Sequence, residues 1–189
     1  MKFLTLFFLF LLTSQSIAEV LMDVPSALKF HFGKYDVTKE KVYLTPTFLK
    51  KLEEAAKSKF ESKIYTIYEA KSGGKLMMSG ILETHLLRSR TQTLFLVFDR
   101  KGKIVSTQVL AFYEPEEYIM SPKWFDQFKN KTIKDKMQPG IDLAKVSGST
   151  ISYNETAAAI RRMTTLYNCL LYTSPSPRDL STSRMPSSA

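Results

Sequence analysis

The chain has 189 residues, with 27 Lys and Arg against 18 Asp and Glu, a formal net charge of +9, 44% hydrophobic residues and one cysteine. That length is enough for a single domain with a sizeable core. The lone cysteine, Cys169, excludes an internal disulfide framework and a multi-cysteine metal site.

Residues 1–18 read as a targeting segment. Lys2 gives a positive start, Phe3 to Leu12 is almost wholly apolar, and Ser16-Ile17-Ala18 offers the small residues a signal peptidase reads. The apolar run is shorter than the roughly 20 residues a membrane-spanning helix needs. No cysteine follows it to carry a lipid anchor. Cleavage after Ala18 and export to the periplasm or another extracytoplasmic space are expected.

Residues 19–168 read as one domain. Thr45 and Pro46 open a helix in which Phe48, Leu49, Leu52, Ala55, Ala56 and Phe60 recur at helical intervals. Four strands are predicted next, over Ile64–Ala70, Lys75–Glu83, Thr93–Asp99 and Ile104–Tyr113. Lys71-Ser72-Gly73-Gly74 and Asp99-Arg100-Lys101-Gly102-Lys103 read as hairpin turns, because glycine supplies the positive φ that such turns use. A short helix follows near Pro122–Phe128, with Trp124 and Phe125 expected in the core. The polar run Asn130–Gly140 reads as a surface loop. The predicted fold is α+β: a mainly antiparallel twisted sheet with packed helices.

The segment Val146-Ser147-Gly148-Ser149-Thr150-Ile151-Ser152 then precedes a helix. Ser152 and Glu155 stand at capping-box spacing, which predicts a helix start near Tyr153. Tyr153, Ala157, Ile160, Thr164 and Tyr167 form a buried stripe, with Arg161 and Arg162 expected on or beside the opposite face. Gly148 permits a turn that a Cβ would resist. Thr150 is a hydroxyl nucleophile placed ahead of backbone N–H groups that favour a phosphate.

Residues 169–189 are of another kind. Cys169 to Asp179 and Ser183 to Ala189 resemble the translated end of a sequencing adapter, and the whole segment is expected to be disordered and outside the functional domain. Without it and the leader, 24 bases face 17 acids, a net of about +7. The lysines are dispersed among acids rather than gathered into one face with interleaved aromatics, so no nucleic-acid partner is expected. The sequence contains no Gly-x-Ser-x-Gly elbow, no His-Glu-x-x-His and no phosphate-binding Gly-x-x-x-x-Gly-Lys.

Three segments carry a resemblance. Ser147-Gly148-Ser149-Thr150 is similar to the Ser/Thr-Gly-Ala-Thr signature of the FMN-binding domain family, which includes the flavin-carrying subunits of sodium-pumping quinone reductases and of Rnf-type electron transport complexes. Leu82 to Leu94 and Val109 to Tyr118, with Trp124-Phe125 after them, look like segments of small stand-alone members. The resemblance spans about Lys75 to Asn168. Ser149 departs from the usual alanine, and Asp142 is the nearest acid to a position just before the motif where one is often found.

The resemblance implies that a flavin transferase, using FAD and Mg²⁺, attaches FMN through its phosphate to Thr150, with Ser147, Gly148 and Ser149 forming the attachment turn. His85 and Arg88, with Arg90 beside them, are candidates to meet the phosphate or the ring edge. Tyr113 is a candidate wall for the isoalloxazine, since flavin sites use aromatic walls and a few polar groups. Glu114, Glu116 and Glu117 read as solvated loop carboxylates. The expected function is an exported flavoprotein that passes electrons between redox partners, including a membrane electron-transport complex, rather than a stand-alone catalyst. The alternative is a periplasmic binding or assembly module of the same fold without covalent flavin. A small flavin reductase is disfavoured by the lack of a nicotinamide-binding fingerprint.

Overall fold

The computed structural model describes residues 19–172 and 180–182. The leader read over residues 1–18 lies outside them. In chain order the elements are β1 (Glu19–Val20), α1 (Val24–Phe32), β2 (Asp36–Leu44), α2 (Pro46–Ala56), β3 (Ile64–Ser72), β4 (Lys75–Leu86), β5 (Thr91–Asp99), β6 (Ile104–Phe112), α3 (Pro122–Phe125), α4 (Thr150–Tyr172) and β7 (Leu180–Thr182). The strands form a sheet ordered β1-β6-β5-β4-β3-β2-β7, with every neighbouring pair antiparallel. The fold is α+β, as the alternation of the central strands predicts.

The four central strands follow from their residues. β3, β5 and β6 are rich in β-branched or aromatic side chains, β4 is led by Leu, Met and Ile, and short turns join all four, so each pairs with its sequence neighbour. Alternation along β4 divides the molecule in two. Ser79, Ile81, Glu83, His85 and Leu87 face one side, where the larger core gathers Leu94, Leu96, Phe98 and the buried faces of α2 and α4. The opposite side holds a smaller core of Ala27, Phe32, Tyr68, Phe95, Val97 and Leu110, covered by α1. Gly80 faces that smaller core, where a Cβ would come within 2.2 Å of the Phe95 ring.

Helix ends are set by identifiable groups. Asp23 caps α1 by accepting the Ser26 N–H at 2.7 Å, and Thr45 caps α2 by accepting the Phe48 N–H at 3.3 Å. α2 stops at Lys57, which takes a left-handed conformation (φ 50°) and donates its N–H to the Glu53 carbonyl. The predicted helix over 46–60 therefore ends at Ala56, although Phe60 is still buried.

Four expectations are corrected. α4 begins at Thr150, not near Tyr153, so Ser152 lies inside the helix and no capping box forms. Arg162 does not face outward; it is 2% exposed and ion-paired in the core. Glu114 is buried, unlike the exposed Glu116 and Glu117. The adapter-like segment is not wholly irregular: Cys169 to Tyr172 extend α4, with Leu170 and Leu171 against the larger core, and Leu180–Thr182 pairs with Val42–Leu44 of β2. No helix among the described residues is long and apolar enough to cross a membrane.

Candidate functional site

The turn before α4 is built around Gly148, whose φ of 80° is left-handed, with open space where a Cβ would project. The Ser149 N–H donates to the Val146 carbonyl at 3.3 Å, closing the turn. The Ser149 carbonyl in turn accepts the Tyr153 N–H at 3.1 Å, the first bond of the helix. Ser149 thus occupies the N-cap position and is 7% exposed, while Ser147, Gly148 and Thr150 are exposed. The Thr150 hydroxyl therefore stands on the first residue of a 23-residue helix. The positive end of the helix dipole and the first N–H groups of the helix converge there, an arrangement that favours a phosphate oxygen.

A second assembly lies at the tip of the β4–β5 hairpin. The Glu114 carboxylate accepts the Ser89 N–H at 2.6 Å, the Arg90 N–H at 2.7 Å and the Ser89 hydroxyl at 3.2 Å. Burial alone would raise the Glu114 pKa, but the N–H groups of Ser89 and Arg90 outweigh it and hold the carboxyl below its ordinary value. Arg90 donates through Nη1 to the Tyr113 carbonyl at 3.4 Å, and the Tyr113 N–H donates to the Thr91 carbonyl at 3.1 Å. The Arg88 guanidinium sits 4.2 Å from the centre of the Tyr118 ring. Arg88 and Tyr113, 25 residues apart in sequence, are thereby brought to one end of the sheet.

His85 points the other way, into the larger core. It is fully buried; neither ring nitrogen meets strict hydrogen-bond geometry among the described residues, but Gln92, opposite it on β5, is close enough to act as a long, weak partner. Burial, reinforced by the nearby Arg162 charge, pushes its pKa down to about 3, so the ring is neutral. The phosphate contact expected for it needs a more exposed placement than this one.

His85 belongs instead to a row of polar groups joining α4 to the sheet. Gln92, opposite His85 on β5, accepts the Thr156 hydroxyl at 3.0 Å. The Glu83 Oε1 accepts Arg162 Nη2 at 2.8 Å and Nε at 3.1 Å, and Arg162 Nη1 donates to Ser58 Oγ at 3.0 Å. The Tyr167 hydroxyl donates to Ser79 Oγ at 3.1 Å. Burial pushes the Glu83 pKa up to about 7 against the opposing pull of Arg162. Tyr65 and Ser152 add buried hydroxyls without partners among the described residues. Burial and the Glu83 charge raise the Tyr65 pKa.

This row fixes the angle at which α4 lies on the sheet and so the position of Thr150 at its end. Among the described residues, no hydrogen bond or ion pair joins Arg88 or Tyr113 to the 147–150 turn. Asp142, the nearest acid before the motif, organises the preceding loop. It accepts the N–H groups of Gln138 (2.7 Å) and Met137 (3.0 Å) and pairs with Lys131 at 3.0 Å.

Sequence reasoning missed Glu83, Arg162 and Glu114. Alternation along β4 carries a signal for Glu83, which shares a face with Ile81 and Leu87. No local pattern announces its pairing with Arg162, 79 residues away. Among the described residues no group of three or more His, Cys, Asp or Glu is placed to hold a metal ion. No protein-family model matches the chain, and no curated protein matches it either.

Proposed function

We propose that the protein is a flavoprotein carrying FMN through a phosphoester to Thr150, and that it passes electrons between redox partners. The observation that carries the reading is the Ser147–Thr150 turn: a left-handed Gly148 with open space around it and an exposed threonine hydroxyl on the first residue of a long helix. A phosphate joined to that hydroxyl lies at the helix N-terminus, where backbone N–H groups favour it. The bound flavin supplies the redox chemistry. The chain supplies the attachment oxygen and the turn that exposes it, and the row of polar bonds between α4 and the sheet holds that helix in place. Arg88, Tyr113 and Tyr118, gathered at one end of the sheet, are the proposed neighbours of the ring. The resemblance to the FMN-binding domain family further supports a flavin transferase for maturation, a membrane electron-transport complex as partner and an extracytoplasmic location.

Ser149, where alanine is usual in that family, favours a second reading: a binding or assembly module that carries no covalent flavin. Its side chain is buried beneath the turn, where a transferase reading the motif meets a changed shape. Co-expression with an active flavin transferase separates the two. Peptide mass spectrometry is expected to find FMN on the Thr150 peptide and to lose it in Thr150→Ala. An unmodified peptide beside a control domain that the same transferase modifies supports the module.

A further inference from the structure

Along α4, beginning one turn beyond Thr150, the helix, the end of α2 and residues 133–139 line a groove of about 750 Å³. That volume falls in the range of roughly 300–1,000 Å³ typical of small-molecule sites. Its lining is cationic. Lys57, Lys134, Lys136 and Arg161 face it, against Asp135 and Glu155. The two acids do not neutralise the lysines. Asp135 is committed to its own loop, accepting the Thr132 N–H at 2.8 Å and the Thr132 hydroxyl at 3.1 Å and lying 4.0 Å from Lys131, while Glu155 makes no ion pair with Lys57, Lys134 or Lys136 among the described residues. None of the three lysine ammonium groups makes an ion pair among the described residues.

The groove is held open by bonded groups. Arg161 donates through Nε to the Ala56 carbonyl at 2.8 Å and through Nη1 to the Met137 carbonyl at 3.2 Å, tying α4 to both other walls. Asp142 accepts the N–H groups of Met137 and Gln138, fixing the loop from behind. Lys57 is directed by its left-handed backbone at the end of α2. Several like charges around one preformed cavity repel each other, and an anion between them relieves that repulsion. Asn154 adds an exposed amide along the same lining, suited to the polar part of an organic molecule.

We propose that this groove is a binding site for an organic anion of nucleotide size, with its phosphates at the Lys134 and Lys136 end. The site lies on the same face of α4 as Thr150, starting one helical turn further along, and none of residues 147–150 lines it.

The test titrates the purified protein with ADP, pyrophosphate and adenosine by isothermal titration calorimetry at low ionic strength. ADP is expected to bind at one site, pyrophosphate more weakly and adenosine not detectably. Lys134→Ala with Lys136→Ala is expected to weaken ADP about tenfold, a loss of about 1.4 kcal/mol. Lys29→Ala with Lys34→Ala removes the same charge from α1 and the residues after it, on the opposite face of the sheet, and is expected to change affinity less than twofold. Thr150→Ala is expected to bind ADP as the parent does. No binding of ADP at millimolar concentration overturns the proposal. So does an equal loss in both lysine pairs, which marks a general charge effect, or a loss of binding in Thr150→Ala.

Discussion

Glu114 closes a hairpin from outside it. A carboxylate that accepts two main-chain N–H groups at 2.6 and 2.7 Å does for the 87–90 turn what a bound anion does for a nest of amides. Glu114→Ala removes a charged acceptor and is expected to cost about 1.5–3 kcal/mol in urea denaturation, with faster amide exchange at Ser89 and Arg90. Unchanged exchange at those two amides contradicts the assignment.

His85 makes a pH prediction. Its pKa is depressed from 6.5 to about 3 by burial and Arg162, so the unfolded chain takes up a proton that the folded chain refuses. Folding stability from this residue is therefore present above about pH 6.5 and lost as pH falls towards 3. His85→Leu removes the effect. Relative to the parent, the variant is expected to gain stability on acidification from pH 7 to pH 5, by about 1–2 kcal/mol. A pH-independent difference between the two proteins counts against the buried neutral ring. Glu83 has the opposite sign over the same interval, but it is common to both proteins and cancels in the comparison.

At the scale of elements, α4 is the member on which the site depends. Its C-terminal half is buried nearly all round, so hydrophobicity alone does not fix its rotation. The bonds Thr156–Gln92, Arg162–Glu83 and Tyr167–Ser79 do. Arg162→Met strands a buried carboxylate and is expected to cost about 3–5 kcal/mol, read by chemical denaturation. Adding Glu83→Leu removes the stranded charge and is expected to recover most of that loss. A double variant no more stable than Arg162→Met means that the pair contributes packing rather than charge matching.

The sequence showed the central strands because each carries an apolar run bounded by glycine or charged turns, β-branched in β3, β5 and β6 and Leu- and Met-rich in β4. It also showed the stripe Tyr153, Ala157, Ile160, Thr164 and Tyr167, all of them buried. α1 and β2 went unread. In β2 the run Asp36 to Lys41 is exposed throughout, so no inward alternation marks it; pairing with β3 makes it a strand. The start of α4 was placed three residues late because Ser152 and Glu155 mimic a capping box, whereas the turn at Gly148 ends the preceding loop sooner. The turn at Gly148 was legible, since glycine and hydroxyl residues announce a turn directly. The buried polar row was not, because its partners meet only through the fold.

For the whole molecule, the sheet is covered on both faces: α1 seals one, and α2 and α4 seal the other and present Thr150 at an exposed end. A flavin esterified to Thr150, as proposed, stays with the chain, so its colour survives unfolding. The direct test is the absorbance spectrum of protein co-expressed with an active flavin transferase, denatured in guanidinium and desalted. The proposal predicts a flavin spectrum that travels with the polypeptide and is missing from Thr150→Ala. A colourless polypeptide, obtained while the same transferase flavinylates a control domain, contradicts it.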